Sequence, residues 1–188
     1  MRPEEPQTRR ITKEGAFQDA IAAGMPGPDR SHSDYIALRL TVMALGGYFG
    51  SRLMLNIREE KGLTYGINAA LMGTPEGSML NIAAQCDGRS TDTVISEIGA
   101  EMRRMVTDPP TGEELRRLKL HASTDLAEIL DTPTSIMGYY ANRLYVGTPD
   151  DYFERQQKAI ETLSPDIISE MAARYLDPSR LTIVTAGS

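Results

Sequence analysis

The chain predicts an α+β fold, a two-layer sandwich in which a mostly antiparallel sheet carries helices on one face. Three observations predict it. Leu63, Tyr65, Ile67, Ala69 and Leu71 alternate with smaller or polar residues, and Leu80, Ile82, Ala84 and Cys86 alternate again after a Gly-rich turn at 73–77, which is the pattern of a β-hairpin. Strand signals also stand near both ends of the chain, at 10–13 and 181–186. Between the strands lie pairs of helical patterns, not single crossovers, and this favours helices gathered on one side of the sheet.

Taken in order, residues 1–8 are rich in Pro and Glu and read as a linker, so a single α+β domain is expected over 9–188, excised from a longer two- or four-domain protein. Residues 10–13 and 16–23 are strand candidates, although the second, rich in Ala, fits a helix equally well. Gly24-Met25-Pro26-Gly27-Pro28 reads as a turn-rich connection. Tyr35, Leu38, Val42 and Leu45 share one helical face; Ser33 or Asp34 is placed to cap that helix and Gly46-Gly47 to end it. A second helix over 51–61 points Leu53, Met54 and Ile57 at the core and stops at Gly62.

Beyond the hairpin, Ser90 opens a helix with a stripe of Ile95, Ile98, Met102 and Met105, closed before Pro109-Pro110. Thr111 and Glu114 have capping-box spacing, and Leu115, Leu118, Ala122, Leu126 and Ile129 continue the helix they start. Pro133 interrupts it. Helical segments at 134–145, 149–163 and 165–176 follow, the last with Ser164 as cap and Pro165 in its first position. There is no internal repeat and no low-complexity tract.

Composition excludes several classes of function. A formal charge of −6, with Lys and Arg dispersed among Asp and Glu, leaves no basic stripe for nucleic acid. No run approaches the ~20 apolar residues of a membrane span, and the N-terminal residues lack the apolar core of a signal peptide. Cys86 is the only cysteine, so an internal disulfide and a Cys-based zinc site are both ruled out. Cytoplasm and periplasm are equally compatible with a lone thiol.

Hydrolytic chemistry is thinly provided for. A zincin needs two imidazoles one helical turn apart beside a Glu, and the two histidines, His32 and His121, form no such element. They read as a loop residue and a helix-surface residue. No Gly-x-Ser-x-Gly elbow supports a serine triad. Gly46-Gly47-Tyr48-Phe49-Gly50 lacks the spacing of a phosphate loop and reads as a helix stop with a close approach between packed elements. Met43, Met54, Met102 and Met105 are expected as core filler, and Asp150 and Asp151 as residues serving a helix dipole. No catalytic residue and no metal ligand is therefore expected in this chain.

Arg58 and Tyr65 stand on either side of the Gly62 break. From the residues alone two readings are open. In one, Arg58 pairs with a nearby acid and Tyr65 packs in the core; in the other, guanidinium and phenol both donate to the carbonyls of a bound extended peptide.

The block from Leu45 to Gly66 resembles the signature of the C-terminal-type domain of the insulinase and pitrilysin family of zinc metallopeptidases, which includes proteins like the mitochondrial processing peptidase. The matching elements are Leu45-Gly46-Gly47, Ser51-Arg52-Leu53, Arg58-Glu59, Gly62-Leu63 and Tyr65. Weaker echoes are Thr111-Gly112-Glu113-Glu114-Leu115, Gly147-Thr148-Pro149-Asp150-Asp151-Tyr152 and Leu181-Thr182-Ile183-Val184. The resemblance implies a domain that closes with others around an unfolded peptide. Zinc and its His-x-x-Glu-His motif would belong to a companion domain or subunit, while Arg58 and Tyr65, seven positions apart, would hold the substrate backbone. This chain alone would be inactive. The same resemblance leaves an alternative, an inactive scaffold or peptide-binding subunit.

Overall fold

The computed structural model describes residues 5–75 and 77–187. In chain order the elements are β1 (Thr8–Thr12), β2 (Asp19–Gly27), α1 (Tyr35–Gly46), a π-helical segment (Met54–Glu60), β3 (Thr64–Thr74), β4 (Gly77–Cys86), α2 (Thr91–Thr107), α3 (Gly112–Glu128), α4 (Pro133–Val146), α5 (Tyr152–Thr162), α6 (Pro165–Tyr175) and β5 (Thr182–Gly187). Short 3-10 turns precede α2 and β5. The strands form one five-stranded sheet in the order β1-β5-β2-β4-β3. Only β1 beside β5 is parallel; β5-β2, β2-β4 and β4-β3 are antiparallel. This is the expected α+β sandwich.

Alternation decides which face is covered. Ile21, Ala23 and Met25 on β2, and Leu80, Ile82, Ala84 and Cys86 on β4, are buried, whereas Ala20, Ala22 and Gln85 between them are exposed. The buried set joins one core with Leu38 and Leu45 of α1, Ile98 and Met102 of α2 and Ile168 of α6. Met102 and Met105 are fully buried and Met43 and Met54 pack against that core, so the methionines are filler as expected.

Several elements differ from the sequence expectation. The segment 24–27, read as a turn, is the end of β2, which pairs with β4 through Gly27. Pro26 fits because β5 pairs with β2 only as far as Gly24, so the strand has a free edge where the proline stands. The end of the segment read as a linker is tied in: Thr8 belongs to β1, and the Ile183 N–H donates to the Gln7 carbonyl at 2.8 Å. Residues 1–4, Glu76 of the hairpin turn and Ser188 lie outside the described residues. Helix α5 starts at Tyr152, later than expected, with Asp150 paired to Arg143 at 2.7 Å and Asp151 to Arg155 at 2.9 Å.

Two expected caps are absent. Asp34 precedes α1 without a capping hydrogen bond, because its carboxylate accepts from Arg174 and from the Tyr175 hydroxyl of α6. Thr111 likewise makes no side-chain cap, and Glu114 is used elsewhere. The Ser164 hydroxyl does accept from the Ile167 N–H at 3.3 Å, with Pro165 in the first turn of α6.

At the end of α1 the helix meets β3 with no space to spare. A Cβ on Gly46 would stand 2.7 Å from the Ala69 Cβ and 2.8 Å from the Ala69 backbone nitrogen. Gly46→Ala should therefore lower stability by about 1–3 kcal/mol through overpacking. Gly99→Ala in α2, where the nearest atom is 3.5 Å away, should instead stabilise by about 0.5–1 kcal/mol. Urea midpoints of the two variants at unchanged slope check this pair.

Candidate functional site

The site is built on the stretch between α1 and β3. Tyr48 stacks on His121 of α3, with ring centroids 4.9 Å apart and planes inclined by 26°. Burial pushes the Tyr48 phenol above its ordinary pKa, helped by the nearby Glu114 charge. Arg52 then turns inward and is 9% exposed. Its Nε and Nη2 donate to the two Glu114 oxygens at 2.8 and 3.1 Å, and its Nη1 donates to the Asp108 carbonyl. This bidentate pair explains why Glu114 does not complete a capping box: a buried guanidinium claims its carboxylate more strongly than the single backbone N–H of Thr111 can. The loop is thereby pinned to the connection between α2 and α3.

The helix expected over 51–61 is wound as a π-helix from Met54 to Glu60. Its C-terminal bond runs from the Lys61 N–H to the Asn56 carbonyl, five residues back, at 3.1 Å. Asn56 Nδ2 donates to Glu101 at 2.7 Å and to Glu97 at 3.1 Å, and Lys61 Nζ lies 2.5 Å from Glu97. Glu101 is 1% exposed and also receives Arg104 at 3.0 Å. Side chains of α2 thus hold the widened turn in place. Gly62 follows with φ +61°, a left-handed conformation that glycine adopts without strain, and the chain enters the sheet.

The sheet is entered through a β-bulge. Thr64 pairs with Cys86 and Gly66 with the next residue, Gln85, which leaves Tyr65 as the extra residue. The Thr64 hydroxyl donates to the Gln85 carbonyl and accepts from the Gly66 N–H at 3.1 Å, closing the bulge. Sequence alternation puts Tyr65 in phase with Ile67; the bulge shifts the phase, so Thr64 and Ile67 are buried and Tyr65 is 88% exposed. The reading that packs Tyr65 in the core is thereby corrected. Its phenol has no hydrogen-bond partner among the described residues.

Arg58 lies on the other side of Gly62. Its Nη1 donates to Glu59 at 2.6 Å and its Cζ sits 4.9 Å from the centroid of the Phe49 ring. No other hydrogen bond from this guanidinium is present among the described residues. No hydrogen bond joins Arg58 to Tyr65. Gly66, next to Tyr65, lines a shallow depression of about 500 Å³ on the helix-free face of the sheet, with Asn68, Ala83 and Gln85 on its floor. Phe49 escaped sequence reasoning; its one signal was a large apolar residue inside a glycine-rich turn.

The arrangement offers donors without a base or nucleophile positioned between them. Among the described residues no group of three or more His, Cys, Asp or Glu is placed to hold a metal ion. His32 accepts from the Asp34 N–H at 3.1 Å, while His121 stacks on Tyr48, so the two imidazoles belong to separate sites. Placed this way, the described residues do not fit zinc. No described helix is long and apolar enough to cross a membrane.

The Lys61 hydrogen bond, and then that of Asn56, hold the Glu97 carboxyl below its ordinary value of 4.5 against the opposing effect of burial. A depressed carboxyl contributes stability that is complete above its unfolded value and is lost as pH falls through the folded one. Wild-type protein should therefore lose stability below about pH 4.5 more steeply than Glu97→Gln, as read from denaturation midpoints across pH 3–6.

Comparison with known proteins agrees with this architecture. The family profile described as the peptidase M16 inactive domain matches residues 1–120. An uncharacterized zinc protease of Mycobacterium leprae is 38% identical over 95 residues, which are 49% of this chain and 21% of that protein. One of Streptomyces coelicolor is 28% identical over 111 residues, 58% of this chain and 24% of the relative. The chain thus matches only about a quarter or less of these relatives' length. Among solved structures, a peptidase M16 inactive domain from Pseudomonas fluorescens superposes with a TM-score of 0.88 at 24% identity, over 100% of this chain and 45% of that one. A protease from Helicobacter pylori gives 0.89 at 20% identity, over 99% and 45%. These structural likenesses carry the fold, and the profile match carries the assignment: the chain belongs to the peptidase M16 inactive-domain family.

Proposed function

We propose that this domain holds an extended peptide backbone for a zinc-bearing companion, supplied by another domain of a longer polypeptide or by a separate subunit. The observation that supports this best is the pair of donors around Gly62: Tyr65 extruded by a bulge with its phenol unpartnered among the described residues, and half-buried Arg58 with N–H groups unused. Main-chain carbonyls are the matching acceptors, since they occur at every residue whatever the sequence. The depression beside Gly66 gives a bound strand room on the open face of the sheet. The family assignment and the zinc-protease names of the relatives support a zinc in the companion, where the resemblance noted in the sequence would put the His-x-x-Glu-His motif.

In this reading Arg58 donates a charge-assisted hydrogen bond to one carbonyl and Tyr65 donates to another. A carbonyl that gains negative charge during attack by water would draw the phenol hydrogen bond tighter, which places its benefit in the transition state. Arg58→Ala in the zinc-loaded assembled enzyme should lose about 1–3 kcal/mol in kcat/KM with zinc content unchanged. Unchanged turnover would instead favour a scaffolding role for the domain. Tyr65→Phe should cost about 0.5–1.5 kcal/mol, falling on kcat if the phenol meets a developing oxyanion. A rise in KM alone would limit Tyr65 to ground-state holding.

A further inference from the structure

We infer that Phe49 is a positioning residue for Arg58: its exposed ring is the platform that holds the guanidinium face-on and keeps the in-plane N–H donors turned to a peptide. This rests on the peptide-holding role of Arg58 proposed above. Phe49 is 63% exposed, and among the described residues its one ring contact is the Arg58 guanidinium, 4.9 Å from the centroid. A phenyl ring left largely in water has little hydrophobic reason to be there. Its quadrupole does have a use for a cation, and a guanidinium lying flat on the ring would keep its N–H groups at the edge, clear of the ring. One of them, on Nη1, goes to Glu59. An aliphatic side chain at 49 would fill similar space without attracting the charge.

The turn that carries Phe49 is itself anchored. Its neighbour Tyr48 is stacked on His121, and the Tyr48 ring lies so close over Gly50 that a Cβ there would stand 2.9 Å from the ring carbon Cε2. Two residues further on, Arg52 is locked to Glu114. A ring held by so fixed a turn can order a long, flexible arginine before a ligand arrives. Pre-ordering of this kind improves affinity without adding a contact to the ligand. Glu59 opposes it in part, since it occupies a donor that a carbonyl would otherwise take.

The test uses the 188-residue chain with Phe49→Leu, Phe49→Tyr and Arg58→Ala. Two quantities are read: the NMR shifts of the Arg58 side-chain protons, assigned through the Arg58 variant, and the affinity for a fluorescein-labelled, unstructured 20-residue peptide. Expected are upfield ring-current shifts of Arg58 in wild type and Phe49→Tyr that disappear in Phe49→Leu. Peptide affinity should fall about two- to fivefold in Phe49→Leu and be retained in Phe49→Tyr, the scale of an exposed cation–π contact. Identical Arg58 shifts in Phe49→Leu and wild type would overturn the inference. So would wild-type affinity of Phe49→Leu in an assay where Arg58→Ala is weakened. If Arg58→Ala binds the peptide as wild type does, the peptide-holding role fails, and the ring-current comparison alone decides whether Phe49 positions the guanidinium.

Discussion

A buried guanidinium sets the path of the chain from α1 into the sheet. Arg52 is almost out of water, and a charge in that position costs several kcal/mol unless every strong donor finds an acceptor. Glu114 and the Asp108 carbonyl supply them, and both lie at the junction of α2 and α3. The loop after Gly47 consequently cannot slide without unpairing that charge. Leu53, next to it, is fully buried and adds an apolar stop. The direction in which the following turn leaves the core, and so the placement of Arg58 and Tyr65, follows from this one fixed point.

Two backbone irregularities convert that fixed path into a presenting surface. The π-helix accommodates an extra residue per turn and the bulge inserts an extra residue into the ladder, with Gly62 between them. The bulge leaves Tyr65 facing outward where regular alternation would have turned it toward the core. The two arginines of the block show the division of labour. Arg52 donates inward to a carboxylate and a carbonyl; Arg58, six residues on, rests on an exposed ring and keeps donors unused. Identical chemistry serves folding at Arg52 and, in the function proposed above, peptide holding at Arg58.

Much of the fold was legible because long segments obey one period. The hairpin, α1, α2, α3 and α6 were readable from their apolar spacing, and Ser164-Pro165 marked a helix start that the structure keeps. What stayed hidden depended on partners far away in the chain. Asp34 looked like a cap but is claimed by Arg174, 140 residues on, and Glu114 looked like half of a capping box but is claimed by Arg52, 62 residues back. Residues 24–27 looked like a turn because Gly and Pro break local patterns, yet nine residues of pairing with β4 hold them extended. The outward turn of Tyr65 could not be read, since one inserted residue inverts every face before it. Arg58 and Tyr65 were singled out by motif, not by periodicity; Tyr65 is exposed and Arg58 half-buried.

The central claim, that a peptide backbone lies against Arg58 and Tyr65, is tested most directly by placing a photoreactive benzoylphenylalanine at position 65 of the zinc-loaded assembled protein. Irradiation with a peptide that the assembled protein is found to cleave should, if the proposed role holds, cross-link that peptide at 65, in competition with unlabelled peptide, and far more than from Lys158 on the outer side of α5, an exposed control position. Equal yields from the two positions, or none at 65 while the peptide is still cleaved, would contradict the account.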